Sequence, residues 1–331
     1  MTFATAQPKL IAEFKHEAPL MSCAVDHHDR FLFAGGRDRS LLVVELSTKK
    51  SNVLTGHESW IGAMARAGDD LVLTADYSGR IIAWHCSGTL PQMKWSIDAH
   101  PSTIYGLCVA ADGETFAAGD RDGTVRIART RDGTMLKELP RIEYPAYGVA
   151  LYPDGHRIAA ADRRPQKPRI IVRDIRTAQE RLIVEVPDLS GYRRVEDIEW
   201  GGIRGLTLSP DGRRLIACGR AGYDGAACAI ILDADDGTLK HKLVATLKGG
   251  FYYGARIHPQ GFLLASGGDI GKGEIGCWDP ENGASVWTVS TTAPCMAIDL
   301  SPSGRRLVVA QAVGKQSYPE SGALALYEWS A

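Results

Sequence analysis

Eight basic residues between Arg157 and Arg181 (157, 163, 164, 167, 169, 173, 176 and 181) stand against acidic residues at 162, 174 and 180. Arg193 and Arg194 follow in a run that also holds Tyr192 and Trp200. Guanidinium groups meet carboxylate or phosphate through a fixed fork of N–H donors, and arginine with aromatic residues anchors many interfaces. This is the chemistry of recognising an anionic partner. A second set recurs at a fixed interval. Tyr105, Tyr147, Arg204, Tyr253 and Met296 each lie six residues before a turn proline or its equivalent, and each precedes a small residue: Gly106, Gly148, Gly205, Gly254 or Ala297.

The patterns of bond-making chemistry are missing. The nine histidines form no His-x-His or His-Glu-x-x-His spacing, and no serine sits in Gly-x-Ser-x-Gly. Gly267–Gly273 lacks the four-residue gap and the Ser/Thr of a phosphate loop. Asp233–Gly237 lacks the alternating ligands and distal Glu of a calcium loop. Seven cysteines are scattered with no Cys-x-x-Cys, five of them in apolar runs where Cys acts as a small hydrophobe. No cofactor, metal or catalytic group is expected, although distant residues do converge in closed folds. The cysteine usage suits a reducing, cytoplasmic compartment.

The elements that must position these residues announce themselves through a recurring turn. Ala110-Ala-Asp-Gly113, Tyr152-Pro-Asp-Gly155, Ser209-Pro-Asp-Gly212, His258-Pro-Gln-Gly261 and Ser301-Pro-Ser-Gly304 are variants of one phrase. Pro presets φ, Asp or Ser bonds its own backbone, and Gly supplies positive φ, so each predicts a hairpin. Five copies predict a repeat array. Around them run four short strands per unit, for example Thr103–Val109, Glu114–Ala118, Thr124–Ala128 and Met135–Leu139. Third strands align seven times: Leu41–Glu45, Ile81–His85, Val125–Arg129, Ile170–Asp174, Ile230–Asp233, Ile275–Asp279 and Leu324–Glu328.

On these residues the chain resembles the WD-repeat family. Trp278-Asp279 matches the naming dipeptide, Trp84-His85, Arg173-Asp174, Leu232-Asp233 and Tyr327-Glu328 are degraded copies, and Gly56-His57 and Ala99-His100 stand for the Gly-His ahead of units two and three. The resemblance implies an all-β, seven-bladed β-propeller over 1–331 as a single domain. Unit seven lacks an outer strand and Lys9–Phe14 is a strand without a unit, so the N-terminus is expected to close the last blade. The family's intra-blade set of His, Ser/Thr, Asp and Trp is expected to be incomplete throughout. In unit two it finds His57, Thr74 and Trp84 with Ser78 in the Asp place; in unit three it finds His100 and Asp122 with Ala128 for Trp.

In such a propeller, loops joining second to third strands, and each blade to the next, share one face, the top. Second-to-third turns are short in units one to three and longer in units four to seven, at Asp162–Pro168, Gly219–Gly225, Gly268–Gly273 and Gln311–Gly322. The longest insertion, about 187–202, joins units four and five on that face. Elaboration confined to one face is expected to carry function. The expected partner-binding residues are Arg163, Arg164, Lys167, Tyr192, Arg193, Arg194, Trp200, Tyr223 and Tyr318, and the expected channel-mouth residues are Tyr105, Tyr147, Arg204 and Tyr253; by position, the resemblance also implies top-face contacts near Trp60 and Phe251.

The leading expectation is a non-enzymatic, monomeric scaffold that docks a protein or peptide, most simply an acidic one, over blades four to seven. The alternative is a propeller enzyme or small-ligand binder with its site at the channel mouth. Clustered carboxylates or histidines about the axis would favour the enzyme; an arginine and aromatic rim without them would favour docking. The formal net charge of −1, from 38 basic and 39 acidic residues, offers no global field for nucleic acid or membrane. No apolar run of about 20 residues or secretory leader is present.

Overall fold

The computed structural model describes residues 6–68, 70–164, 166–193, 198–199, 201–222, 225–314 and 319–329, with the backbone alone at 192–193 and 198–199. The turn glycines behave as their context demands. Gly113, Gly155, Gly212, Gly261 and Gly304 have φ between 70° and 95°. Each donates its N–H to the carbonyl three residues earlier. Each turn joins the innermost strand of a sheet to the second.

Seven four-stranded antiparallel sheets result. Their innermost strands are Leu20–Val25, Ile61–Ala67, Ile104–Val109, Ala146–Leu151, Gly205–Leu208, Phe251–Ile257 and Cys295–Leu300. Each touches the next around a ring, and the last touches the first. The seventh sheet is completed from the other end of the chain: Lys9–His16 pairs antiparallel with Ser321–Glu328. The expected closure is what the structure contains: Ser321–Glu328 is paired on both sides, and Lys9–His16 becomes the outer strand of blade seven.

Burial explains the strand grammar. Second and third strands are covered on both faces by neighbouring blades, so they read as unbroken apolar runs, such as the fully buried Phe31–Gly36. Outer strands face solvent on one side and alternate, as in Glu180–Glu185. The core is distributed: seven apolar clusters among the described residues each join two adjacent blades, the last linking blade seven to blade one through Leu324, Leu326, Leu32 and Leu42.

Two sequence expectations need correction. Blade two holds a complete hydrogen-bonded set. Asp76, not Ser78, is its acid: Asp76 Oδ2 lies 2.9 Å from His57 Nδ1, His57 Nε2 is 2.6 Å from Thr74 Oγ1, and Trp84 Nε1 donates to Thr74 Oγ1 at 2.9 Å. Ser78 instead donates to Asp76 Oδ1 at 2.6 Å. In blade three the acid is Asp120 rather than Asp122, 2.9 Å from His100 Nδ1. There Ala118 and Ala128 replace the Thr and Trp, and His100 Nε2 has no partner among the described residues. The second correction concerns the loop expected at Gly268–Gly273. Strands Leu263–Asp269 and Lys272–Trp278 run on until only Ile270-Gly271 separates them, so blade six has a tall hairpin in place of a long loop.

Candidate functional site

Six of the seven innermost strands break register at one recurring place: between Leu20 and Ser22, Ile61 and Ala63, Ile104 and Gly106, Ala146 and Gly148, Tyr252 and Gly254, and Cys295 and Ala297. A β-bulge leaves one residue unpaired and re-aims its side chain. The residues so displaced are Met21, Gly62, Tyr105, Tyr147, Tyr253 and Met296; Arg204 holds the place in blade five. All seven line one cavity of about 280 Å³ at the upper end of the channel. Tyr105, Tyr147, Arg204 and Tyr253 are therefore brought together as the fixed interval suggested. At Gly148 and Gly205 the small residue is required by crowding at the axis, whereas a Cβ on Gly254 would meet only Ile298 Cγ2 at 3.8 Å. A Cβ on Gly148 would stand 2.6 Å from Leu206 Cβ, and one on Gly205 2.4 Å from the Tyr253 carbonyl.

Sequence reasoning missed Tyr77. It reaches the mouth from the second-to-third turn of blade two and fills the space left by Gly62, where a Cβ would lie 2.4 Å from Tyr77 Cε1. Only a glycine at 62 admits it. Met21 and Gly62 were reachable by extending the six-residue interval into the first two units; Tyr77, lying outside that interval, was not.

The rings form a continuous arc. Trp60 is 5.7 Å from Tyr77, Tyr77 meets Tyr105 edge-on at 5.6 Å, and Tyr105 stacks on Tyr147 at 3.9 Å. Farther round, Phe251 lies 6.0 Å from Tyr253. Guanidinium groups sit over these rings: Arg37 over Trp60 at 4.8 Å, Arg163 over Tyr147 at 5.1 Å, and Arg204 between Tyr147 (5.5 Å) and Phe251 (4.7 Å). Such cation–π contacts orient the cations without neutralising them. Arg163 also donates from Nη1 to the Tyr147 hydroxyl at 2.9 Å. Its stem passes over Gly202, at the end of the insertion, where a Cβ would fall 2.9 Å from Arg163 Cγ.

The electrostatics follow from this crowding. Burial, and then the charge of Arg163, lower the Arg204 guanidinium from its ordinary value. Burial pushes the Tyr77 phenol up to about 12 and raises Tyr253 as well. At neutral pH the mouth thus offers neutral hydroxyls and permanent cations. Neither Arg163 nor Arg204 has a carboxylate partner among the described residues, and Arg204 Nε is buried without an acceptor there. Among the described residues no aspartate, glutamate or histidine lines the upper cavity.

The broader basic cluster divides in two. Arg164 bonds Glu143 and stands 3.7 Å from the buried Asp162, while Arg169 is 3.3 Å from Asp162 and 3.6 Å from Glu143. Lys167 is 3.3 Å from Glu185. Arg157, Arg173 and Arg181 are paired with Asp154, Glu180 and Asp174. Arg157 and Arg176 stand at the turns of the opposite end of the blade. The eight basic residues are thus not one positive face, and of the three expected partner-binding residues whose side chains are described, Arg163, Arg164 and Lys167, Arg163 alone joins the mouth. Arg164 and Lys167 are committed to acids nearby. Arg194, Trp200, Tyr223 and Tyr318 lie outside the described residues, as do the side chains of Tyr192 and Arg193. The insertion itself is anchored: Leu189, at the end of the short helix Pro187–Leu189, is fully buried between blades four and five, and Tyr192–Arg193 pairs with Ile198–Glu199.

At the lower end the channel opens into a second cavity of about 270 Å³. Asp299 sits there, held by Arg256 Nε at 3.0 Å, Arg66 Nη1 at 3.4 Å and the Val25 N–H at 3.0 Å. One carboxylate thus connects blades six, seven, one and two across the closure of the ring.

A family model described as "WD domain, G-beta repeat" matches residues 8–44 and 91–127. Both stretches begin with an outer strand and continue through the first three strands of the next blade, the frame that leaves the first outer strand free to finish the last blade. Telomerase protein component 1 of Rattus norvegicus is 25% identical over 130 residues, 38% of this chain and 5% of that protein. Autophagy-related protein 16 of Arabidopsis thaliana is 24% identical over 152 residues, 44% of this chain and 28% of that protein. An F-box/WD-40 repeat-containing protein of the same plant is 27% identical over 116 residues, 35% of this chain and 21% of that protein. The matches therefore span between 5% and 28% of the length of these curated relatives.

Proposed function

We propose that this WD-repeat β-propeller is a non-enzymatic docking scaffold that receives an acidic protein segment on its upper face. The observation that carries the reading is the convergence of Arg163 and Arg204 on Tyr147, with no carboxylate of the described residues to balance either. An Asp or Glu side chain entering the mouth meets two guanidinium groups already held in place, and the partner's apolar residues find the arc from Trp60 to Tyr147. Preorganised arginines and rigid rings lose little entropy on binding. Among the described residues the upper cavity is lined by arginine and aromatic groups and by no acid or histidine that could take a proton at neutral pH, which supports docking over catalysis. The site lies nearer the axis, and extends farther toward blades one to three, than a footprint over blades four to seven. Seven free thiols accord with a reducing, cytoplasmic setting.

Selection from a displayed library of random peptides tests this. The wild-type chain is expected to enrich Asp- and Glu-containing sequences. The enriched peptides, measured by fluorescence anisotropy, are expected to bind an Arg163→Glu/Arg204→Gln variant more than about tenfold more weakly, with binding that also falls as salt rises. Equal enrichment of acidic and basic peptides, or affinities indifferent to both the substitutions and salt, overturns the reading.

A further inference from the structure

The lower cavity carries a charge imbalance of its own. Arg66 and Arg256 share a single carboxylate, Asp299, which is almost fully buried, whereas the two arginine side chains keep 27% and 36% of their surface. Their bonds are accounted for as follows. Arg66 Nη1 donates to the Leu300 carbonyl and, at 3.3 Å, to the Val25 carbonyl; Arg256 Nη1 donates to the Ala255 carbonyl at 3.0 Å. Arg66 Nε and Nη2 and Arg256 Nη2 have no acceptor among the described residues, and both side chains line the cavity. Two cations against one anion leave one net positive charge and a set of donors in the fork geometry that suits carboxylate or phosphate oxygens.

Met64, Leu107, Val149 and Leu206 line both the lower and the upper cavity and form the apolar part of the waist between them, which Thr207 and Arg256 share. Cys108, also in the wall, is pushed up to about 12 by burial and stays a neutral thiol. Arg256 stands three residues along its strand from Tyr253, a backbone separation of roughly 10 Å at ~3.3 Å per residue.

We propose that the lower half of the channel binds a small amphiphile with an anionic head and a slim unbranched apolar tail. Its carboxylate or phosphate is held by Arg66 and Arg256, and its tail lies along the waist of Met64, Leu107, Val149 and Leu206. This site is independent of the docking of acidic segments above it. Calorimetric titration of the full chain with octanoate, octyl phosphate, octanol and inorganic phosphate tests it.

One equivalent of octanoate or octyl phosphate is expected to bind, and whichever binds more tightly identifies the head. Octanol and inorganic phosphate are expected to bind roughly tenfold or more weakly, each lacking one half of the ligand. Arg256→Gln and Arg66→Gln are each expected to weaken the amphiphile about tenfold. Leu206→Phe, which narrows the waist, abolishes tail binding, and Arg163→Glu leaves it unchanged. Should Arg256→Gln fail to fold, Arg66→Gln keeps the Arg256–Asp299 pair and decides the matter. Equal binding of octanol and octanoate, no binding of either amphiphile, or indifference to Leu206→Phe overturns the proposal.

Discussion

The two ends of the channel are lined by the same seven strands, and both carry arginines, yet those arginines are treated in opposite ways. Below, Arg66 and Arg256 close on Asp299 and tie four blades together. Above, Arg163 and Arg204 lie against aromatic rings and meet no acid among the described residues. Two cations sharing one buried carboxylate stabilise the ring and keep a single net charge between them; cations held only by π faces keep both charges for a partner. The comparison separates cations that also hold the ring from cations that only bind, and substitutions at each end can break or sharpen it.

The largest effect on stability belongs to the lower end. Asp299→Ala leaves two arginines facing one another without their acid, and is expected to cost about 2–4 kcal/mol, less than a fully buried pair because both cations keep some solvent. Chemical denaturation measures it, and a loss below ~1 kcal/mol would put Asp299 outside the ring's support. The acidic peptides selected at the mouth are expected to bind the folded variant as before.

The next effect compares blades two and three. His57 makes two side-chain bonds and His100 one. His57→Ala is expected to cost about 2–3 kcal/mol and His100→Ala about 1 kcal/mol less. Equal losses would mean that Thr74 and Trp84 add nothing. The same sets predict an acid limit. Burial alone would raise Asp76 and Asp120, but hydrogen bonds from His57 and Ser78 in one case, and from His100 and the Thr124 N–H in the other, outweigh it and hold both below the ordinary carboxylate range. An unfolded Asp near 3.9 takes up its proton first as pH falls, so this stability is complete above about pH 4 and drains away below it. Urea midpoints should stay level from pH 7 to about pH 5 and fall below about pH 4, and Asp120→Asn should flatten the fall.

Smaller effects on stability, with larger ones on binding, belong to the upper end. Gly62→Ala must displace Tyr77 and is expected to cost about 1 kcal/mol while weakening peptide binding. Arg163→Glu is expected to change stability by no more than about 0.5 kcal/mol and to weaken the peptides most. If Arg163→Glu destabilised the fold as much as Asp299→Ala, the division between the two ends would collapse.

The parts of this arrangement legible in the sequence were those set by local rules. Turn glycines, strand alternation and the six-residue interval are written within single units, so the seven blades, the closing strand and the quartet Tyr105, Tyr147, Arg204 and Tyr253 could be read from them. Asp76 was missed because strand Leu71–Asp76 carries its acid at its last residue, two positions before the turn serine. Tyr77 enters the mouth from a turn, which has no periodicity to count. Arg66, Arg256 and Asp299 come from three blades and meet only because the ring closes. Apparent positive charge from Arg157 to Arg181 misled for a related reason: Glu143 and Glu185, which quench part of it, lie in other segments.

Closure of the seventh blade has a consequence in time. The strand Lys9–His16 leaves the ribosome before its partner Ser321–Glu328, which follows about 310 residues later. At ~5–20 residues per second that is a wait of roughly 15 to 60 s. Through that interval the nascent chain presents an unpaired edge bearing Leu10 and Ile11, which remain half-exposed even in the finished ring. Its quality control is therefore set by synthesis: a chain released early has six blades with neighbours, an unclosed gap, and a sticky first strand for chaperones or proteases to find.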